Sequence, residues 1–257
     1  MQKSTEVAMI SLSVVIITKN EQARLRDCLE SVKWAKEIII LDDYSSDKTL
    51  DVAREYTDKV FQKEMKIEGA HRNYAYSLAS CDWVLSLDAD ERVTNELKDE
   101  ITEIVTKGSD CNGFTIPRRN HIGDYWVKYG GWYPSAQLKL FKNGKFKYEE
   151  AEVHPRAFMK DPRGELKSDL IHYTYRNLSD FVLKQNGQTT LEARKWVKDG
   201  RKMPISKAIR RSIDRFLRAY HKKQGKKDGT LGFILAAFGG FYQILSYAKY
   251  WEEKKEQ

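Results

Sequence analysis

The chain has few cysteines and lacks the common signature sequences of nucleotide-binding enzymes. Its three cysteines, Cys28, Cys81 and Cys111, are widely spaced and form no CxxC pair. This pattern argues against a disulfide framework and a thiolate zinc site, and it fits a reducing cytosol. Neither GxGxxG nor GxxxxGK followed by Ser or Thr occurs, which disfavours a dinucleotide site and a P-loop. The first twelve residues contain no apolar core segment, so we expect no secretory signal.

Positive charge is concentrated in one segment of the chain. The net charge is +8, and residues 195–227 alone hold thirteen Lys or Arg against two acids, so the remainder is slightly acidic. An anionic partner is therefore expected to bind this segment. A hydrophobic content of 41% with 12% aromatic residues is typical of a globular protein and excludes a largely disordered chain.

Strands and helices alternate through the first third of the chain. The run LSVVIIT at Leu12–Thr18 is rich in β-branched residues and bounded by polar ones, as expected for a strand buried on both faces. The same reasoning predicts three more strands, Glu37–Leu41, Val60–Phe61 and Trp83–Leu87, and four helices, Glu21–Val32, Asp47–Tyr56, Ala70–Leu78 and Glu96–Val105. This alternation predicts right-handed βαβ units and an α/β fold with a mostly parallel sheet.

The pattern changes from Gly113 onward. Two further strands are predicted at Gly113–Pro117 and Gln137–Phe141, and the stretch Tyr125–Pro134 between them is aromatic with two adjacent glycines. Such a stretch is typical of a loop, and its rings could either pack in a core or stack on a sugar. Beyond His172 the chain becomes helical and basic. We therefore predict an α/β catalytic domain at residues 10–175 and a helical basic region at residues 176–257.

Polar clusters lie where the predicted strands end or the next helix begins, which is where open α/β sheets bind ligands. They are Thr18–Glu21, Asp42–Asp47, Gly69–Asn73 and Asp88–Glu91. The last is the most informative, because two carboxylates at positions i and i+2 after a strand can both reach one divalent cation. Such a cation neutralises the charge on a departing diphosphate, which sugar transfer from a nucleotide requires.

Each cluster also has a simpler interpretation. A lone DxD such as Asp88–Asp90 can be a turn or a helix cap, and Asp47 is expected to be a cap. Asp42 and Asp43 could accept hydrogen bonds from uracil or ribose, or they could cap the next helix. Lys19 and Arg72 could pair with phosphate or lie on a solvated surface. The co-occurrence of these clusters at successive strand ends favours a ligand site over the simpler reading.

Longer motifs extend the argument. LSVVIITKNE, DDYSSD, RNYA and WVLSLDADERV resemble the family 2 glycosyltransferases, which have the GT-A fold. PRRN, GGWYP followed by QLKLF, VHPR, LIHYTY and YAKYWE resemble the branch of that family that builds the lipopolysaccharide core, including a β-1,4-glucosyltransferase. The resemblance runs from Leu12 to Trp251. It implies an inverting transfer from a UDP-sugar, with UDP-glucose first among the donors, and a divalent cation, Mg²⁺ or Mn²⁺.

The resemblance also assigns roles to individual residues. It implies that Thr18 and Glu21 line the nucleotide pocket, that Asp43 contacts uracil, that Arg72 approaches uracil or diphosphate, that Asp88 lies near the ribose, and that Asp90 holds the metal. Three positions depart from the pattern of the family. Tyr44 stands where relatives commonly have glycine, His71 where they often have glutamine, and Ser135 where they often have aspartate.

An inverting transfer needs a carboxylate that deprotonates the acceptor hydroxyl. The candidates in KYEEAEVHPR are Glu149, Glu150 and Glu152, of which we favour Glu150 and then Glu152. Each could equally be a solvated acid. His154 and His172 are candidate additional contacts to metal or phosphate, or structural histidines.

The basic region contains one amphipathic helix. Within Pro204–Tyr220, the apolar residues fall on one arc and the basic residues on the opposite side at 100° per residue. The apolar residues are Ile205, Ile209, Ile213, Phe216, Leu217 and Tyr220, and the basic ones are Lys207, Arg210, Arg211, Arg215 and Arg218. Such a helix lies either on an anionic membrane surface or against the catalytic domain. Gly229–Ala248 carries no charge but has four glycines, so a buried or interfacial hairpin is expected rather than a membrane span.

These features predict a metal-dependent, inverting UDP-sugar transferase whose acceptor is a lipid-linked saccharide, such as the lipopolysaccharide inner core. We expect it in the cytoplasm, associated peripherally with the inner membrane through residues 204–251. The alternatives are another metal-dependent nucleotide-sugar or nucleotidyl transferase, and a nucleic-acid binding protein that uses the basic segment. The last leaves the acidic strand ends without a purpose, because carboxylates repel phosphates unless a metal intervenes, and no nucleic acid is expected.

Overall fold

The computed structural model describes residues 10–150 and 156–255, which fall into two compact units. The first unit holds residues up to 118 together with 136–172, and the second holds 119–135 together with the residues from 173 onward. The division at residue 175 into a catalytic domain and a basic region stays a prediction.

The described residues form thirteen strands and seven α-helices. The strands are β1 (Leu12–Thr18), β2 (Glu37–Asp42), β3 (Val60–Gln62), β4 (Trp83–Asp88), β5 (Glu91–Val93), β6 (Gly113–Ile116), β7 (Arg118–Ile122), β8 (Tyr125–Trp126), β9 (Gln137–Lys142), β10 (Phe146–Tyr148), β11 (Ala157–Met159), β12 (Arg163–Glu165) and β13 (Leu170–Tyr175). The helices are α1 (Gln22–Glu30), α2 (Thr49–Arg54), α3 (Glu68–Ser77), α4 (Asn95–Lys107), α5 (Leu178–Lys198), α6 (Ile205–Leu217) and α7 (Gly229–Lys255). A π-helical turn, Arg218–Lys222, and a 3₁₀ turn, Gly225–Asp228, connect α6 to α7.

A seven-stranded sheet organises the first unit, in the order β12-β6-β9-β4-β1-β2-β3. Neighbouring strands are parallel, except that β9 is antiparallel to both β4 and β6. The predicted α/β fold with a mostly parallel sheet flanked by helices is confirmed. So is the helical character of the C-terminal region, where α5, α6 and α7 lie.

Successive residues of β1 point to opposite faces of this sheet and enter two cores. Val14 and Ile16 pack with Leu25 and Leu29 of α1 on one face, whereas Val15 packs with apolar residues of β2 and α3 on the other. Each fully buried aliphatic side chain contributes about 1.5–3 kcal/mol to folding. Burial on both faces explains why β1 is an apolar run without polar alternation.

The register of the parallel strands aligns their carboxyl ends. Thr18 of β1 is level with Asp42 of β2, and Ile17 of β1 is level with Asp88 of β4. Elsewhere in the same unit, the first part of β13 pairs with β5, opposing His172 to Glu91. The strand ends predicted to be functional are therefore adjacent.

The second unit contains the β7–β8 hairpin, in which His121 opposes Trp126, and the helices α5, α6 and α7. The aromatic stretch between β8 and β9 is tied to the turn before α7, because the backbone N–H groups of Lys128 and Tyr129 donate to the Asp228 carboxylate. This part of the unit is thus a fixed loop.

The predicted hairpin at Gly229–Ala248 is wrong, because α7 is one unbroken helix. Its glycines permit close packing rather than a turn. A Cβ on Gly240 would lie 2.9 Å from the carbonyl oxygen of Ser212 in α6, and a Cβ on Gly232 would lie 1.8 Å from that of Gly225. One helical stretch of the described chain, Gly225–Lys255, is long and apolar enough to cross a membrane on length and composition.

Candidate active site

A cleft of about 230 Å³ opens at the carboxyl ends of β1 and β4 in the first unit. Its lining contains five of the residues predicted to bind donor or metal: Thr18, Glu21, Asp43, Asp88 and Asp90. Ile17, Lys19, Met65, His71 and Ala89 complete the lining. The sixth predicted residue, Arg72, is joined to the cleft by an ion pair of 2.9 Å with Asp88. The structure therefore brings these six residues together.

Asp88 is an ionised carboxylate that is paired with two cations. Its Oδ1 accepts from Arg72 at 2.9 Å, and its Oδ2 accepts from Lys139 at 3.0 Å. Burial alone would raise the pKa of Asp88, but the charges of Lys139 and Arg72 outweigh it and hold the pKa far below the ordinary 3.8. Asp88 is thus ionised, with both oxygens already paired to cations.

Asp90 differs from Asp88 in that its surroundings raise its pKa. Burial, and then the charges of Asp88 and Glu91, raise the pKa of Asp90 to about 7. The nearby basic atoms, His172 Nε2 and Arg24 Nη1, stand 3.7 and 3.8 Å from its oxygens, which is beyond hydrogen-bonding distance. A half-buried carboxylate in this condition is stabilised by an added positive charge.

This donor set fits a divalent cation that is only partly held by protein. Mg²⁺ is commonly bound through one or two carboxylates, with water and substrate phosphates as the other ligands. Asp90 could offer such a carboxylate, and His172 Nε2 lies 3.7 Å from its Oδ1. Within residues 10–150 and 156–255, no group of three or more His, Cys, Asp or Glu is arranged to hold a metal.

The cleft lining also contains two buried polar side-chain atoms without partners. Thr18 Oγ1 and His71 Nδ1 are buried, and neither has a hydrogen-bond partner among the described residues. Burial lowers the pKa of His71 below the ordinary 6.5, so its imidazole is neutral at pH 7 and can both donate and accept. Buried polar atoms without partners are uncommon, and these two are positioned to bind a polar ligand.

Asp43 is also part of the cleft lining. Its Oδ2 accepts from Lys19 Nζ at 2.7 Å, and its Oδ1 accepts from the backbone N–H of Met65 at 3.0 Å. Burial would raise the pKa of Asp43, but these hydrogen bonds lower it below 3.8. Asp43 is therefore an ionised acceptor at the cleft wall. Asp42, in contrast, is buried and accepts from Ser45 and Gln62, so it stabilises the loop after β2.

Asp47 and Tyr44 lie in the same loop, between β2 and α2. The N-cap residue of α2 is Lys48 rather than the predicted Asp47, although Asp47 accepts from the backbone N–H of Thr49, the first residue of α2. Tyr44 has φ +48°, a left-handed conformation that favours glycine. The loop thus keeps the backbone that a glycine would adopt, and the Tyr44 ring is exposed.

The candidate bases lie elsewhere. Glu150 is exposed and lines a separate surface cavity of about 250 Å³ with Asn73 and Ser77. Glu149 is half-buried, and its backbone N–H donates to the carbonyl of Arg156. Glu152 and His154 lie outside the described residues. The structure does not bring Glu150 into the cleft lining.

The sequence reasoning missed a buried charge cluster beneath the cleft. Lys139 of β9 donates to Glu91 at 2.7 Å as well as to Asp88, and Glu91 also forms an ion pair of 3.5 Å with Arg118. Glu91 is fully buried, and Lys139 is nearly so. A signal was available, because Lys139 is the one charge inside the apolar core of QLKLF, and a strand rarely buries a lysine without a partner.

The chain is similar to several known proteins. A family model described as "Glycosyl transferase family 2" matches residues 13–162. The lipopolysaccharide core biosynthesis glycosyltransferase LpsC of Rhizobium meliloti (strain 1021) is 27% identical over 253 residues, covering 96% of this chain and 94% of that protein. An uncharacterised glycosyltransferase of Rickettsia prowazekii (strain Madrid E) is 28% identical over 262 residues, covering 94% and 87%. Among solved structures, S. aureus TarS 1–349 has a TM-score of 0.47 at 14% identity, covering 96% and 92%.

Proposed function

The chain belongs to glycosyl transferase family 2, and from that premise we propose that it transfers a sugar from a UDP-sugar to a lipid-linked saccharide. Glucose is the first candidate sugar, and the lipopolysaccharide inner core is the first candidate acceptor. The observation that carries the proposal is the cleft itself. Its lining contains buried polar atoms without partners, on Thr18 and His71, and a carboxylate of raised pKa, Asp90, which suits the nucleoside and the diphosphate of a nucleotide-sugar.

The donor is held by residues at three strand ends. Thr18 and His71 offer unpaired polar atoms to the nucleoside, and Asp43 accepts from the uracil N–H in exchange for its bond with Lys19. Asp88 accepts from ribose hydroxyls, and Glu21 lines the same pocket. Arg72, which forms an ion pair with Asp88, is the proposed cationic contact for the diphosphate. Backbone and side-chain groups that are already fixed in place lose little entropy when they bind.

Asp90 is the proposed metal ligand, with His172 beside it. When bound there, Mg²⁺ or Mn²⁺ supplies positive charge to the departing diphosphate. The protein contributes a carboxylate whose neighbours, Asp88 and Glu91, are both already paired with Lys139. Asp90 is therefore the acid in this cluster that is left to meet an added cation.

The proposed base for the acceptor hydroxyl is Glu150, with Glu152 as the second candidate. An inverting transfer needs one carboxylate to take the acceptor proton as the hydroxyl attacks the anomeric carbon. Glu150→Gln and Glu149→Gln form a matched pair of variants, because the two residues are adjacent and the substitution is the same. Loss of transfer in Glu150→Gln, with UDP-sugar binding retained, would support the assignment. Equal activity in both variants would refute it and direct attention to Glu152.

A relative's name and the chain's charge support the proposed acceptor and location. LpsC is named for lipopolysaccharide core biosynthesis, and that name supports a saccharide acceptor of this class. Thirteen cations within residues 195–227 support an anionic membrane surface as the partner of the second unit. We therefore propose a cytoplasmic enzyme that associates peripherally with the inner membrane, without a role for nucleic acid.

The test is consumption of a panel of UDP-sugars with Mn²⁺ or Mg²⁺ by the wild type, Asp90→Ala and Asp51→Ala. Asp51 is an exposed aspartate on α2 and serves as the matched control. We expect one donor to be consumed with release of UDP, and both Asp90→Ala and EDTA to abolish this while Asp51→Ala does not. Release of the sugar 1-phosphate instead, with transfer of the uridylyl group, would indicate a nucleotidyl transferase. Absence of UDP-sugar binding by calorimetry with metal present would overturn the proposal.

A further inference from the structure

Helix α6 leaves its apolar stripe exposed. Ile205, Ile209, Ile213 and Leu217 recur every four residues, and each is between 46% and 57% exposed. The helix instead packs on α7 through small residues. Ala208 is buried, and Ser212 approaches Gly240 so closely that a Cβ there would be 2.9 Å from its carbonyl oxygen. The four large apolar residues are therefore not needed to hold α6 in place.

Helix α7 also presents apolar residues to the outside. Phe233, Phe241 and Trp251 are each about half exposed, and only 33% of its most apolar eighteen-residue stretch is buried. Soluble proteins rarely expose large contiguous apolar areas without a function. The outer side of α7 is thus a second apolar surface in the same unit.

The two surfaces join along the line where α6 meets α7. The ring of Phe233 lies 5.9 Å from that of Phe216 and 5.8 Å from that of Tyr220. Phe216 and Tyr220 belong to the same apolar arc as Ile209 and Ile213 at 100° per residue. We call the combined surface the α6–α7 apolar face, and its exposed members are Ile205, Ile209, Ile213, Leu217, Phe233, Phe241 and Trp251.

Packing within the unit argues against α7 as a membrane span. Lys249 Nζ donates to Asn186, Thr189 and Thr190 of α5 at 2.6–2.9 Å, and α6 lies along another side of α7. The charged residues of α6 include Lys207, Arg210, Arg211 and Arg215. Immersing α7 in hydrocarbon would carry these charges with it, which is unfavourable. A helix held in this way can lie on a membrane but cannot cross one without unpacking.

The positive charge of α6 and its flanking residues favours an anionic membrane over a second copy of the chain as the partner of this face. Residues 195–227, which include all of α6, carry thirteen cations and two acids. Two copies joined through this face would bring two such segments together, and like charges repel. Anionic lipid headgroups attract the same segment, while their acyl chains accept the apolar residues. An anionic membrane surface therefore satisfies both the apolar and the basic features of α6, and a second copy satisfies only one.

We propose that the α6–α7 apolar face inserts into the headgroup region of an anionic membrane, with α6 and α7 lying along the surface and neither crossing it. The inference rests on the proposed function for the lipid-linked acceptor that brings the enzyme to a membrane. It identifies which side of the second unit meets the lipid, and it assigns α7 a surface role in place of a span.

The test is co-sedimentation of the full chain with phosphatidylcholine vesicles, with and without phosphatidylglycerol. The test variant is Ile209→Glu/Ile213→Glu, which puts two acids on the face. The control is Leu191→Glu on α5, because Leu191 is 62% exposed and lies on the side of α5 turned away from the residues that contact Lys249. UDP-sugar consumption is measured on the same preparations without vesicles.

We expect the wild type and Leu191→Glu to bind anionic vesicles equally and to be released by alkaline carbonate. Ile209→Glu/Ile213→Glu should bind at least about tenfold more weakly, since each buried apolar side chain adds to interfacial affinity, with UDP-sugar consumption unchanged. Equal binding by the double variant, or resistance of the wild type to carbonate, would overturn the inference. So would a wild-type dimer that ignores vesicles and dissociates in the double variant. Vesicle binding without UDP-sugar consumption would instead refute the proposed function alone.

Discussion

Replacing Lys139 with methionine removes the cation that serves two buried acids. Its Nζ lies 2.7 Å from Glu91 Oε2 and 3.0 Å from Asp88 Oδ2, and methionine keeps most of the chain length without the charge. Removing one partner of a buried ion pair typically costs 3–5 kcal/mol, because it leaves an uncompensated charge. Glu91 retains Arg118, and Asp88 retains Arg72. We therefore expect the low end of that range, a loss of about 3 kcal/mol in the free energy of unfolding.

The measurement is urea unfolding followed by circular dichroism, at neutral pH, for the wild type, Lys139→Met and Lys139→Arg. Arginine keeps the charge and is expected to lose less stability than methionine does. The double variant Lys139→Met/Glu91→Gln should recover part of the loss, because it removes the acid that was left unpaired. A loss below about 1 kcal/mol in Lys139→Met, or no recovery in the double variant, would refute the assigned role of Lys139.

Three further predictions concern other buried or strained residues. In metal-free protein, raising the Asp90 pKa from 3.8 to about 7 makes stability fall by about 4 kcal/mol as pH rises through this range; urea unfolding of Asp90→Asn in EDTA should lack this slope, and an unchanged slope would contradict it. Hydrogen bonds from Lys59, Ser13 and Ser80 outweigh burial and lower the Glu37 pKa from 4.5 to about 2. The lowered pKa contributes about 3 kcal/mol to the free energy of unfolding above pH 4.5, and this is lost as pH falls toward 2. The stability of Glu37→Gln should therefore fall less steeply with acid than that of the wild type, and an equal or steeper fall would refute the role of these hydrogen bonds. Because Tyr44 has φ +48°, the free energy of unfolding of Tyr44→Gly should exceed that of Tyr44→Ala by about 1 kcal/mol. Thermal melting should rank the two variants in that order, and the reverse order would exclude backbone strain at residue 44.

The sheet and the proposed donor cleft could be predicted from the sequence because both depend on local patterns. β1 is found from a buried apolar run, and its end at Thr18 marks the edge of the sheet. Once β1, β2 and β4 are recognised as parallel neighbours, the polar residues after them must meet at that edge. Asp43 and Asp90 were therefore predicted near each other without knowledge of any contact.

The features that were missed depend on long-range pairing. Lys139 neutralises Asp88 only because β9 enters the sheet antiparallel to β4, and no periodicity indicates which strand β9 will join. The helix α7 was mistaken for a hairpin because its glycines resemble turn residues. Their purpose, close contact of Gly240 with Ser212, is visible only once α6 is in place. The candidate base Glu150 has no pattern that distinguishes it from a solvated acid.

The position of β9 has a consequence for how the protein is synthesised. A ribosome has synthesised the proposed donor residues and the proposed metal ligand once it reaches Asp90, whereas Lys139 follows 49 residues later. Until then Glu91 lacks its lysine, and β4 presents an open edge that can pair with other chains. A fragment that ends at Arg118 would contain the whole proposed nucleotide pocket and still be an unstable, aggregation-prone piece. The early part of the chain thus depends on a later strand for its own completion, so the donor site should be studied and engineered only in proteins that extend through β9.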